Sequence, residues 1–428
     1  MVIHRGLRRL IAGSSALVLG SVLLVSPAHA TSTLKSTDFY NPLKILRIDL
    51  NLPADTVRAL NDRKVYKNYV PGSINMSVDG RTSGDLDMEI RLKGTTSISP
   101  LNGTPSFKVR FPKGPSGTGY LGLQRLTLNA LTQDTSKIHE YGAYSLFNAM
   151  GVPASKTGWA RVYVNGADRG LYLNVEQPDE NFMAKKFRDI TQHIYEGVAL
   201  KDFKPGNDDG DNIYGAFLAD YGWKVTPNKN DLTKLISVVN YKDPAAWYKA
   251  LDGVTDRPAL LKFMAVENFL GHWDGYTGPL VNNYFIRSNT RGKFTFIPWG
   301  TDQTFGENRQ TKTLGDTFLT PMLAKTATHP WLPKETVRGN IYTKCIAYSV
   351  CKTAYLTELK ATSAMATKIK LGTLMKSVAA VIKPVLVSQY KSGSDMMQVI
   401  EMEQTRSIAF IATRQKEVAA LVKTHKIK

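Results

Sequence analysis

The first half of the chain is written in steps of two. "ILRIDLNL" (45–52), "SINMSVDGRTS" (73–83), "GDLDMEIRLKG" (84–94), "PSFKVRF" (105–111), "LQRLTLNAL" (123–131) and "WARVYVNGADRGLYLNVEQ" (159–177) alternate apolar and polar residues. That period sends successive side chains to opposite faces, so these segments read as half-buried strands. Asp79-Gly80 and Asn165-Gly166 fall where tight hairpin turns are needed. One segment breaks the rhythm: "TSKIHEYGAYSLFNAMGV" (135–152). Its Ile138, Tyr141, Tyr144, Leu146, Phe147 and Met150 suit one helix face, and Gly151 suits its end.

After Gln177 the period changes. "DENFMAKKF" (179–187) reads as a helix and "HIYEG" (193–197) as a short strand. "RPALLKFMAVENFLGHWDG" (257–275) is a helix by the spacing of Leu260, Leu261, Met264, Val266, Phe269 and Leu270. Two strands, "NNYFIRS" and "KFTFIPW", follow across "NTRG". From about residue 335 the pattern is helical and Lys-rich. A strand-rich region 31–177 and a second region 178–428 are expected, the latter with a helical end over 335–428. Mature length exceeds what one core commonly holds.

Residues 1–30 read as a secretory leader. Arg5, Arg8 and Arg9 precede an apolar stretch diluted by Gly and Ser, and Ala28-His29-Ala30 supplies a cleavage pattern. No long uninterrupted apolar run is expected later, so the mature chain is expected outside the cytoplasm with no transmembrane segment, at the periplasm or cell surface. Removing the leader takes away three Arg and no acid, so the formal charge of +19 becomes +16. A chain this basic favours polyanions. It has no aromatic-interleaved basic box pointing to nucleic acid. Cys345 and Cys351 are compatible either with a local disulfide or with two free buried thiols. In the polar loop at Asn207, Asp209 and Asp211, Asn212 and Leu218 stand where a calcium loop wants Gly and Glu.

Several residues suggest phosphate chemistry. Lys108 lies on an alternating strand and Glu140 on the inserted helix, a pairing that protein kinases use to aim a cation at ATP phosphates. An exposed ion pair is the plainer alternative. Asp274 follows a helix, Asn282 and Asn283 open a strand, and a second strand delivers Asp302 ahead of Phe305-Gly306. That order parallels a kinase catalytic loop (267–306) and its metal-binding Asp, although eight residues rather than five separate Asp274 from Asn282.

"IRLKGTTS…TPSFKVRF", the segment from "LTLNALTQDTSKIHEYGAYSLFNAMGVPASKTGWARVYVNG" through "LYLNVEQPDENF", and "NNYFIRS…GKFTFIPWGTDQTFG" together resemble the CotH family of spore-coat-protein-H-like atypical kinases. The likeness covers most of residues 45–306. It implies an α+β, bilobal, protein-kinase-like fold: an antiparallel-strand N-lobe with one inserted helix and a mainly helical C-lobe. It also implies ATP and Mg²⁺ as cofactors and a protein substrate phosphorylated on Ser or Thr. By motif, Lys108 would bind phosphate with Glu140 as its helix partner, and Asp274 would be the catalytic carboxylate. Asn283 (or Asn282) and Asp302 would hold the metal. Glu176 and Gln177 would border the adenine, and Arg91 and Lys93 would flank the phosphates, unless they are plain strand-surface charge. One departure stands out: members read Ile-Pro-Trp-Asp-x-Asp, and this chain has Gly300 at the first Asp. The competing function is a non-enzymatic envelope or surface-assembly protein holding an anionic polymer.

Overall fold

Strand β4 (Arg81–Lys93) decides the architecture, because it pairs on both sides. The computed structural model describes residues 32–427 apart from 95–97, 114–116, 118, 190–192, 198–201, 205–229 and 307–337. The leader and the polar loop at 207–211 lie outside the described residues. β2 (Ile45–Asn51), β3 (Val70–Val78), β5 (Ser106–Arg110), β6 (Arg125–Asn129), β7 (Thr157–Val164) and β8 (Ala167–Val175) join β4 in one sheet. Its order is β4-β3-β2-β7-β8-β6-β5, and β5 pairs back onto β4. The result is a closed barrel of seven strands. A two-residue β1 (Ser32–Thr33) adds in parallel at Arg81–Thr82.

The expectation of a bilobal, kinase-like fold with an antiparallel strand lobe is not met. The sheet closes on itself, and the β2–β7 seam is parallel, Ile45 opposite Trp159 through Leu50 opposite Val164. Alternation tells which face of a strand is buried. It does not tell which neighbour the strand takes, in which direction, or whether the sheet's two ends meet. Closure here depends on β4 being thirteen residues long, enough to carry β3 along its length and β5 at its far end. A register shift between Asn75 and Ser77 adds local twist.

The barrel interior is apolar: Ile48, Leu50, Ile74, Met76, Ile90, Leu92, Phe107, Val109, Leu126, Leu128 and Val162 are buried in it. Tyr172 reaches in and donates its hydroxyl to the Pro105 carbonyl at 2.8 Å. The outward residues of β7 and β8, including Trp159, Leu171 and Leu173, belong to a second core. That core holds α2 (His139–Ala149), the helix inserted between β6 and β7. α2 is buried over most of its length. Gly142 is required there, since a β-carbon would meet Met375 Sδ at 2.8 Å and Phe305 Cζ at 3.0 Å.

The remaining described elements fill out the rest of the chain, and the helices at 257–270, 349–368 and 371–390 pack directly on α2. In chain order the elements are α1 (Ala54–Asn61), α3 (Glu180–Lys186), β9 (Ile194–Gly197), α4 (Asn230–Val239), α5 (Pro244–Leu251) and α6 (Arg257–Leu270). β10 (Tyr284–Ser288) and β11 (Phe294–Pro298) follow, then α7 (Asn340–Ala347), α8 (Ser349–Lys368), α9 (Leu371–Tyr390) and α10 (Asp395–Thr424). β10 is the centre of an antiparallel three-stranded sheet between β9 and β11. Cys345 and Cys351 form a disulfide across the corner between α7 and α8. α9 is long and apolar enough to cross a membrane by composition, an exception to the expected lack of such runs. It carries Lys376 and Lys383 and buries Met375, Val378, Ile382 and Leu386 within the chain's own core.

Candidate active site

The site begins with two chain turns that are stitched together. α6 ends at Gly271, whose left-handed φ of 65° closes the helix and releases His272-Trp273-Asp274. β11 ends at Pro298 and releases Trp299 to Gly306. Main-chain bonds join the segments: Trp273 N–H donates to Gln303 at 3.1 Å and Phe305 N–H to Leu270 at 2.8 Å. The β10–β11 hairpin brings a third piece, because Trp299 N–H donates to Asn283 at 3.0 Å. Residues eight and twenty-eight positions beyond Asp274 are therefore its neighbours.

Asp274 is held on both oxygens. Asn282 Nδ2 donates to Oδ1 at 3.0 Å and Asn283 Nδ2 to Oδ2 at 2.8 Å. Burial raises its pKa to about 6, with Asp302 adding to the rise; the two amides and His272 oppose it. Beneath the loop, the fully buried Glu267 accepts from Tyr276 N–H at 3.1 Å and Thr277 N–H at 2.8 Å. His272 donates Nε2–H to the Gly300 carbonyl at 3.2 Å, with Nδ1 3.4 Å from Glu267. Burial alone would lower the His272 pKa, but the carboxylates of Glu267, Asp274 and Asp302 outweigh it and raise it.

Asp302 faces α2. Burial raises its pKa, Lys93 pulls it down and Asp134 pushes it up. Glu140 on α2 is raised by burial first and by the Asp302 charge second, while Lys93 and an amide hydrogen bond from Asn129 restrain the rise. Lys93, at the end of β4, is thus a cation whose charge acts on both carboxylates. Lys108 lies on the same outward face of the barrel wall, paired in register with Arg91 and Thr127. Two outward rows form there: Lys93 beside Ser106, leading to Asn129 and Glu140, and Arg91–Lys108–Thr127, leading to Gln177. Gln177 accepts from the Thr127 hydroxyl at 2.7 Å. Glu176 accepts from Lys156 N–H at 3.1 Å and Lys185 Nζ at 3.2 Å where the chain passes from β8 to α3.

The sequence reading did not single out Asn129, Asp134, His139, His272 or Glu267. Asp134 caps α2: it accepts from Lys137 N–H and His139 N–H, both at 2.8 Å. Asp134 stands four residues ahead of the N-cap Ile138, Asn129 is on a strand and Glu267 is mid-helix, so none of the three offered a pattern signal.

The donor chemistry suits a small hard cation. Asp302 acts electrostatically on both Glu140 and Asp274, and the Lys93 charge tempers Glu140 and Asp302. Among the described residues no three His, Cys, Asp or Glu side chains converge into a metal cage. Mg²⁺ rarely uses such a cage; one or two carboxylates plus substrate phosphates are its usual shell. Asp302 and the Asn283 amide oxygen fit that pattern.

A family model described as CotH kinase protein matches residues 90–418. The chain is also similar to inner spore coat protein H of Bacillus subtilis (strain 168), 26% identical over 192 residues, which cover 44% of this chain and 52% of that one. Invasin CotH2 of Rhizopus delemar is 27% identical over 214 residues, covering 45% of this chain and 34% of the invasin. The matched stretch thus spans about half or a third of those relatives' own length.

Proposed function

The chain belongs to the CotH kinase protein family, and on that premise we propose that it transfers the γ-phosphoryl group of ATP, with Mg²⁺, to Ser or Thr hydroxyls of a protein. The observation that carries this reading is the convergence of Lys93, Glu140, Asp302, Asp274 and Asn283 from five separate segments. Phosphoryl transfer needs little beyond positioning and charge. A bond forms from the acceptor oxygen to the γ-phosphorus as the bond to the β-bridging oxygen breaks.

Asp274 is the candidate base: a carboxylate raised to about 6 is ionised near neutral pH yet basic enough to take the hydroxyl proton. Asn282 and Asn283 fix both of its oxygens, so its orientation does not depend on substrate. Lys93, restrained by Glu140 and Asp302, presents a cation toward the phosphates, with Arg91 and Lys108 along the same wall. Asp302 and Asn283 are the residues that would hold Mg²⁺, which when bound would neutralise charge on the transferring group.

The Cys345–Cys351 disulfide suits an oxidising compartment. The similarity to a spore coat protein and to invasins supports an outer or surface location. Gly300 favours a second reading, a surface-assembly protein that keeps the fold and binds an anionic partner through its basic surface. Incubating the protein with Mg²⁺ and γ-labelled ATP separates the two. Label transfer that Asp302→Ala abolishes supports the kinase. Absence of any nucleotide-dependent thermal shift at every Mg²⁺ concentration supports the assembly protein.

A further inference from the structure

In sequence α10 is a basic terminal helix, yet one face of it touches three of the segments that build the site: the start of α2, the turn after β11 and the end of α6. Gln404 Nε2 donates to the Ser136 carbonyl at 3.0 Å, in the turn that starts α2. Ser407 Oγ lies 2.7 Å from His139 Nε2. Phe410 packs edge-on against Phe305, centroids 6.3 Å apart, beside Gly306. Arg414 donates Nε–H to the Phe269 carbonyl at 3.1 Å and another N–H to the Asn268 carbonyl, at the end of the helix that releases Asp274. The spacing of 404, 407, 410 and 414 is that of a single helical stripe.

His139 is the junction. Its Nδ1–H donates to the main-chain carbonyl of Asp302 at 3.0 Å, and its ring lies 5.3 Å from that of Phe305. It immediately precedes Glu140, and its own N–H is capped by Asp134. His139 is 1% exposed and Ser407 2%. One buried imidazole therefore ties the turn carrying Asp302 to the helix carrying Glu140, and Ser407 ties both to α10.

We infer that α10 is a working part of the site: Ser407, acting through His139, sets where the Asp302 carboxylate stands relative to Glu140. Both are positioning residues. This rests on the proposed use of Asp302 for Mg²⁺·ATP. Partners one layer behind a metal ligand commonly change affinity by about 10- to 100-fold when removed.

The experiment measures the Mg²⁺ midpoint for ATP binding, at fixed ATP, in the full chain, with the melting temperature recorded for each protein. Ser407→Ala is nearly isosteric, and Thr405→Ala, on the exposed side of the same turn, is the control. His139→Asn retains a donor for the Asp302 carbonyl while losing Ser407; His139→Ala loses both. The expected result is a midpoint raised about tenfold or more in Ser407→Ala and His139→Ala, partly restored in His139→Asn and unmoved in Thr405→Ala. If Ser407→Ala and His139→Ala lower the melting temperature but keep the wild-type midpoint, the inference falls while the kinase reading stands. If the wild-type chain takes up no Mg²⁺·ATP, the kinase reading falls and takes the inference with it.

Discussion

Gly300 stands directly against Asn283. A β-carbon at position 300 would lie 2.8 Å from both the amide carbon and the amide oxygen of Asn283, and the glycine's φ is +50°. The amide that fills this space is the one that secures Asp274.

Gly300→Asp is accordingly expected to weaken the site rather than complete it. Crowding against Asn283 and the left-handed backbone should together cost about 1–3 kcal/mol. Thermal denaturation and an Mg²⁺·ATP titration check this. Tighter binding in the variant would show that Asn283 yields and that position 300 can still serve as a ligand.

Lys93 and Lys108 should separate in function. Lys93→Met removes a cation whose charge acts on both Glu140 and Asp302 and is expected to lower the proposed γ-phosphoryl transfer at least about tenfold. Lys108→Met, on the neighbouring row, should act mainly on the apparent affinity for ATP. Initial rates across an ATP series distinguish these effects.

The metal-free protein should lose stability as pH rises from about 5 to 8. Glu140, Asp302 and Asp274 all have folded-state pKa values above their ordinary ones, Asp274 reaching about 6. Between the unfolded carboxylate values, near about 4, and these raised values, the folded state holds more protons than the unfolded state. Stability therefore falls with pH across that window. Melting curves in chelator at pH 5 and pH 8 test the sign, and Glu140→Gln should flatten the slope.

Replacing Cys345 and Cys351 together by Ala should cost about 2 kcal/mol, the loop-entropy value for so short a bridge. The expected shift is a few degrees in melting temperature. Reduction of the wild-type protein should reproduce it.

What could be seen in the residues was local. The six alternating segments are strands, and the helix expected over 138–150 is α2 almost to the residue. "HWDG", "NN" and "WGTD" do meet, because a helix end and a hairpin carry them to one place. Barrel closure was hidden, since pairing partners leave no mark in a strand's own alternation. Lys93 was visible only as one of two charges before a Gly. Its distinction from Lys108 is a matter of one ladder step, which only register fixes. The Ser407–His139 contact spans 268 residues and could not be inferred from either end.

A cylinder of strands cannot shear along one seam without breaking hydrogen bonds along the others. The wall that carries Arg91, Lys93 and Lys108 therefore behaves as a fixed ruler, its cations spaced once and for all. Breathing across the proposed nucleotide site would have to come from the opposite bank, where turns and helix ends hold the acids. The tempo of the proposed phosphoryl transfer would then be set by how far α10 loosens its hold.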